Sequence, residues 1–195
     1  MASVGILHLG MGNLSNVQRA TGGEIVEEPH RVKEFSRLVL PGVGSYSAVS
    51  AQLERFRDAL QGARQGGVPM LGICLGMQLL FSSSQEGPGQ GLGWADGDVL
   101  AFPTEKAPHI GWNQVWWERA HPLGKGLGEG SFFYFVHGYF CHPQDPQWQL
   151  TRTDYHGEAF CSAVVHENVA GVQFHPEKSS REGEILIQNF LRWTP

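Results

Sequence analysis

The stretch Pro69-Met-Leu-Gly72-Ile-Cys74-Leu-Gly76-Met-Gln78-Leu-Leu-Phe81 decides how the chain folds. Its first half is a short apolar run of the kind that forms a buried strand, and its second half has the apolar spacing of a helix. Gly72 and Gly76 flank Cys74 at the second position on each side. Side chains there would collide in an abrupt strand-to-helix turn, so the glycines mark such a turn with a thiol at its apex. That places Cys74 at the C-terminal end of a strand, where open α/β sheets bind their ligands. The helix start beyond it favours negative charge on the sulfur. A cysteine taken alone is more often a small buried hydrophobe. The flanking glycines are what tilt this one towards chemistry.

Working outward, apolar runs bounded by turn residues recur at 4–7, 37–40, 68–73 and 169–174. Helical patterns lie between the first three. Residues 13–20 leave room for about two turns before Gly22-Gly23. Tyr46, Val49, Leu53, Phe56 and Leu60 line one helical face, with Ser45 expected as its N-cap. From Trp94 to Cys161 the pattern changes to strand-like segments rich in Trp, Phe, Tyr and Val. Only 82–93 reads as an extended loop. A final amphipathic helix carries Leu186, Ile187, Phe190, Leu191 and Trp193. The expectation is a three-layer α/β fold, a mostly parallel sheet flanked by helices, with a β-rich middle section. One domain over 1–195 accommodates it.

Composition excludes several classes. The chain has 195 residues, a net charge of −5 and 17% charged residues, which disfavours a nucleic-acid-binding surface. No apolar run is long enough for a membrane span, and the start of the chain lacks signal-peptide character, so a cytoplasmic protein is expected. The three cysteines, Cys74, Cys141 and Cys161, form no even framework and no Cys-x-x-Cys pair. Cys141 and Cys161 read as packed residues. The histidines are scattered without metal-ligand spacing. No metal and no cofactor are expected.

The base for Cys74 lies about a hundred residues on, in Gly171-Val-Gln-Phe-His175-Pro-Glu177. Pro176 pushes His175 towards an extended backbone, in which residues two apart face the same side. Glu177 can then accept from one imidazole nitrogen and hold the other towards the thiol. Nucleophile, base and orienting acid are the parts that covalent acyl transfer needs. A third segment, Pro41-Gly42-Val43-Gly44, has the glycines to turn adjacent N–H groups into one concavity. With the Leu75 N–H, such amides would form an oxyanion hole, each donor contributing about 3–4 kcal/mol of barrier lowering. His137 has no accompanying carboxylate, so a core or interface role is expected. Trp116, Trp117 and Trp148 are expected to be partly exposed and to suit a docking surface.

Together these segments resemble the class I (triad) glutamine amidotransferases. Within them they are most similar to the glutaminase subunits of imidazole glycerol phosphate synthase, of histidine biosynthesis. The stretches Gly10-Met-Gly-Asn-Leu14, Pro41-Gly-Val-Gly-Ser45, His109-Ile-Gly-Trp-Asn113, Tyr134-Phe-Val-His-Gly-Tyr139 and His175-Pro-Glu-Lys-Ser179 also fit. The resemblance implies that Cys74 attacks the side-chain amide of L-glutamine, that His175 protonates the departing ammonia and that Glu177 orients His175. It implies an oxyanion hole from Val43, Gly44 and Leu75, with Gln78, Gly44, Gly138 and Tyr139 binding substrate. It also implies a partner, the (β/α)₈-barrel cyclase subunit, which uses the ammonia to make imidazole glycerol phosphate and aminoimidazole carboxamide ribotide. Asn13, Trp112, Tyr134 and Lys178 match positions near that interface. Gly138 stands where relatives commonly carry a small hydroxyl residue, and His8-Leu9 replaces a usual Asp-Tyr. Two alternatives remain open: the glutaminase of another amidotransferase, of anthranilate or carbamoyl-phosphate type, and a non-catalytic cysteine-elbow sensor.

Overall fold

A computed structural model describes residues 3–10, 14–42 and 44–195. The parallel part of the sheet comprises β1 (Val4–Leu7), β2 (Glu24–Val26), β3 (Arg37–Gly42), β4 (Met70–Cys74) and β11 (Val169–Val172). These strands lie in the order β2-β1-β3-β4-β11. The β-rich middle section supplies β5 (Gly97–Ala101), β6 (His109–Trp117), β7 (Ser131–His137), β8 (Tyr139–Pro143), β9 (Gln149–Tyr155) and β10 (Glu158–His166). It does not form a separate layer. Antiparallel pairing continues the same sheet from β11 through β10, β9 and β6 to β7, and β5 joins through β8, which pairs with β10. The sheet is therefore mixed, parallel around Cys74 and antiparallel beyond.

Helices cover both faces. Alternate residues of the parallel strands point to opposite cores, Leu38 and Leu40 to one and Val39 to the other. On the first side packs α2 (Tyr46–Gln65), which buries Tyr46, Val49, Leu53, Phe56 and Leu60 as the periodicity predicts. On the second pack α1 (Leu14–Thr21) and α4 (Ser180–Arg192), through Val17, Leu186 and Phe190.

Three local expectations change. Ser45 sits at the N-cap of α2, but its side chain makes no capping bond. The Tyr46 N–H is taken instead by the Glu86 carboxylate at 3.1 Å, from the loop that follows the elbow. A carboxylate at a helix N-terminus satisfies an orphan donor and meets the positive end of the dipole. Trp148 is buried, stacked on His166 with ring centroids 4.8 Å apart, and not exposed. The helix after Cys74 is shorter than its sequence reads. α3 (Leu75–Gln78) has four residues. Leu79, Leu80 and Phe81 beyond it are all fully buried, so the chain tightens into i→i+3 turns where a longer amphipathic helix would leave one face in water. The helix-dipole contribution at Cys74 is correspondingly small.

Candidate active site

Cys74 has φ 53° and ψ −110°, a conformation that L residues rarely adopt. Two close crossings hold it there. A Cβ on Gly76 would lie 1.7 Å from the Leu40 carbonyl oxygen, and one on Gly72 would lie 2.5 Å from the Gly76 oxygen. Only glycine lets the turn pass over β3 at this depth. The elbow expected from the sequence is present, built on contacts between three segments.

The His-Pro-Glu segment follows β11, hydrogen-bonded beside β4. His175 is buried, and its backbone N–H donates to the Tyr134 carbonyl at 2.9 Å. Its Nδ1 lies 2.7 Å from Glu177 Oε1, with both side chains almost wholly enclosed. The acceptor carboxylate fixes the Nδ1–H tautomer. Nε2 is buried without an aligned hydrogen-bond partner, on the side where the ring interacts with Cys74. Burial pulls the imidazole pKa down, but Cys74 and the Glu177 carboxylate outweigh it and raise the value to about 9. A ring whose protonated form is favoured beside the sulfur is equipped to take the thiol proton and then give it to a leaving group.

Gly42, Gly44, Cys74, Leu75, Gln78, Glu86, Pro108, Val136, His137, Gly138, Tyr139 and His175 enclose a cavity of about 360 Å³. It therefore gathers Cys74, His175, Gly44, Leu75, Gln78, Gly138 and Tyr139 from the residues expected at the site. Gly44 has φ +114°, the unusual angle its position called for. Val43 and Asn13 lie outside the described residues. A Cβ on Gly138 would meet nothing nearer than Pro108 at 4.0 Å, so the cavity is wider there than with a hydroxyl residue. A larger cavity, about 770 Å³ between Arg37, Arg64 and Trp193, opens at the N-terminal ends of β3, β4 and β11, far from the thiol. In an open α/β sheet that is the wrong end for a reactive site.

The wall opposite Cys74 is polar and fully tied. His137 Nδ1 is 2.8 Å from the Tyr139 carbonyl, which accepts only, so Nδ1 carries the proton. His137 Nε2 must then accept from His109 Nδ1 at 3.1 Å, and His109 Nε2 from the Asn113 amide at 3.2 Å. Burial lowers the pKa of His137 to about 3 and of His109 to about 4, keeping both neutral. His137 is thus a core residue that also lines the cavity.

The expected interface residues that are described, Trp112, Tyr134 and Lys178, lie outside the cavity. Trp112 and Tyr134 face each other across β6 and β7, ring centroids 6.2 Å apart. They continue an apolar face with Ile110, Phe132 and Val136, in which Ile110 is 59% exposed and Trp112 and Phe132 are each 50% exposed. Lys178 is exposed next to Glu177, and among the described residues it makes no ion pair. Gln173 and Glu86, unmarked in the sequence, reach the site only through tertiary packing. No local pattern signals either.

The sequence model described as Glutamine amidotransferase class-I matches residues 14–193, and the chain belongs to that family. It is also similar over nearly its full length to the imidazole glycerol phosphate synthase subunit HisH of Pyrococcus furiosus, at 49% identity covering 98% of this chain and 100% of the relative. The subunit of the same description from Thermococcus kodakarensis is 46% identical over 97% of this chain and 99% of its own. Among solved structures, the PurLQS structure from Thermotoga maritima superposes with TM-score 0.79 at 18% identity, covering 98% of this chain and 99% of that one. At that identity the likeness speaks for the fold alone.

Proposed function

We propose that the chain hydrolyses L-glutamine to glutamate and ammonia as the glutaminase subunit of imidazole glycerol phosphate synthase, acting as a single cytoplasmic domain. The observation that carries the reading is the convergence of Cys74 with a buried, Glu177-bound His175 on one cavity. The Cys74 proton passes to His175 Nε2, and the sulfur adds to the amide carbon. Gly44, Leu75 and Val43 supply N–H groups to the oxyanion. As the C–N bond breaks, His175 returns the proton and ammonia leaves. Water, deprotonated by His175, then cleaves the thioester to glutamate and restores the thiol.

Gln78 takes part in binding. Its Nε2 donates to the Tyr139 carbonyl and to Gln173 Oε1, leaving Oε1 buried and unpartnered, an acceptor for an N–H of the substrate. Ammonia is protonated and diluted in water, so it is used by a partner docked on the chain, the (β/α)₈ cyclase subunit. Trp112, Tyr134 and Lys178 contribute to that contact, with Asn13. Glutamate release is measured with and without the cyclase subunit, with Cys74→Ala as the blank. Stimulation by this cyclase, abolished in the blank, supports the reading. Undiminished turnover in Cys74→Ala overturns the mechanism, and stimulation only by a different synthase barrel overturns the pathway.

A further inference from the structure

Gln173 is fully buried two residues before His175, and its Nε2 lies 3.6 Å from Cys74 Sγ. Which end of that amide faces the sulfur is settled by a chain of one-way contacts. The Tyr139 carbonyl accepts only, and it lies 3.1 Å from the Gln78 side-chain nitrogen, so the NH₂ end of Gln78 points there. The same nitrogen is 3.2 Å from Gln173 Oε1. Turning the Gln173 amide over would set two NH₂ groups against each other, which is repulsive, so Gln173 is held with its N–H on Cys74.

Besides the His175 ring, the sulfur also contacts the Val136 carbonyl at 3.9 Å. That contact suits the thiol, whose S–H can donate, and disfavours the thiolate. Once His175 takes the proton, its Nε2–H is one donor to the sulfur, and Gln173 offers a second, neutral one.

We infer that Gln173 is a further catalytic residue, a neutral hydrogen-bond donor that stabilises the Cys74 sulfur as the attacking and departing thiolate. The inference deepens the glutaminase reading and places the Gln78 amide in two roles, one face to the substrate and the other aligning Gln173. Hydrogen bonds to charged groups are about twice as strong as neutral ones, and the sulfur is charged only before attack and after thioester cleavage.

The test separates this inference from the reaction itself. Cys74 alkylation by iodoacetamide is followed by peptide mass spectrometry in the full chain, alone and with the cyclase subunit, for Gln173→Met and Gln173→Leu. Cys141 and Cys161 are buried, and burial pushes both thiols up, Cys161 to about 12, so they report little. Loss of one charge-assisted bond predicts alkylation about tenfold slower at pH 7, recovering at higher pH. It also predicts a similar fall in kcat with KM near its starting value. A purely structural role would lower the melting temperature and leave the pH profile of alkylation where it was, which overturns the inference. If the protein alkylates with the expected dependence on Gln173 yet releases no glutamate, the thiolate contact stands and the glutaminase reading fails.

Discussion

At the scale of single residues the site is an electrostatic balance set by enclosure. Glu177 and His175 are almost wholly enclosed, so their 2.7 Å hydrogen bond is little screened. Glu177→Gln keeps the shape but removes the charge that holds the ring tautomer and supports its protonation. A loss of about 100-fold or more in kcat, with KM little changed, is expected from steady-state glutamate release. The raised His175 pKa gives a second expectation. Its folded value of about 9 stands above the ordinary 6.5, so the stability it contributes is full below pH 6.5 and is lost as pH rises through 9. Because the sulfur is the larger of the two raising influences, Cys74→Ala should lower the His175 titration midpoint, read by NMR of the imidazole protons. A midpoint that stays near 9 in that variant would show that Glu177 alone sets it.

Elements position these residues through contacts that only glycine permits. Where α3 crosses β3, the 1.7 Å gap available to a Gly76 Cβ cannot be opened by a side-chain rotation, because the obstacle is the Leu40 backbone carbonyl. Gly76→Ala should therefore cost about 3 kcal/mol in denaturant unfolding and displace the elbow, with glutaminase activity falling further than stability alone explains. An unchanged unfolding midpoint would mean that the turn relaxes freely. The same locality explains what could be read from the sequence. Gly72, Cys74 and Gly76 lie within one turn, and Pro176 acts on its immediate neighbour, so the elbow and the His175–Glu177 pairing were both legible. The parallel strands were legible because continuous apolar runs mark burial on two faces. Gln173 was not, since its meaning depends on Gln78, and Glu86 caps α2 from 40 residues away. The length of α3 was hidden because Leu79, Leu80 and Phe81 satisfy a helical pattern while being buried for another reason, the tight turn beneath the sheet.

Across the whole molecule, the apolar outer face of β6 and β7 is the feature that a chain without a partner has least use for. Ile110 pairs with Val136, Trp112 with Tyr134, and Gln114 with Phe132, so five large apolar side chains project from one side of a hairpin at the edge of the sheet. The inner side of the same strands carries His109 and His137, and the Tyr134 carbonyl holds the His175 backbone N–H. A partner on the outer face would therefore sit one peptide away from His175. Tryptophans at the centre of such a face are typical anchors, and removing one costs about 2 kcal/mol or more. Trp112→Ala should weaken cyclase binding about 30-fold in calorimetric titration, and leave the melting temperature of the isolated chain within a degree or two because the ring is half exposed. Stimulation of glutamine hydrolysis should then require correspondingly more cyclase while reaching the same maximum. Binding of unchanged affinity would move the docking surface away from this hairpin.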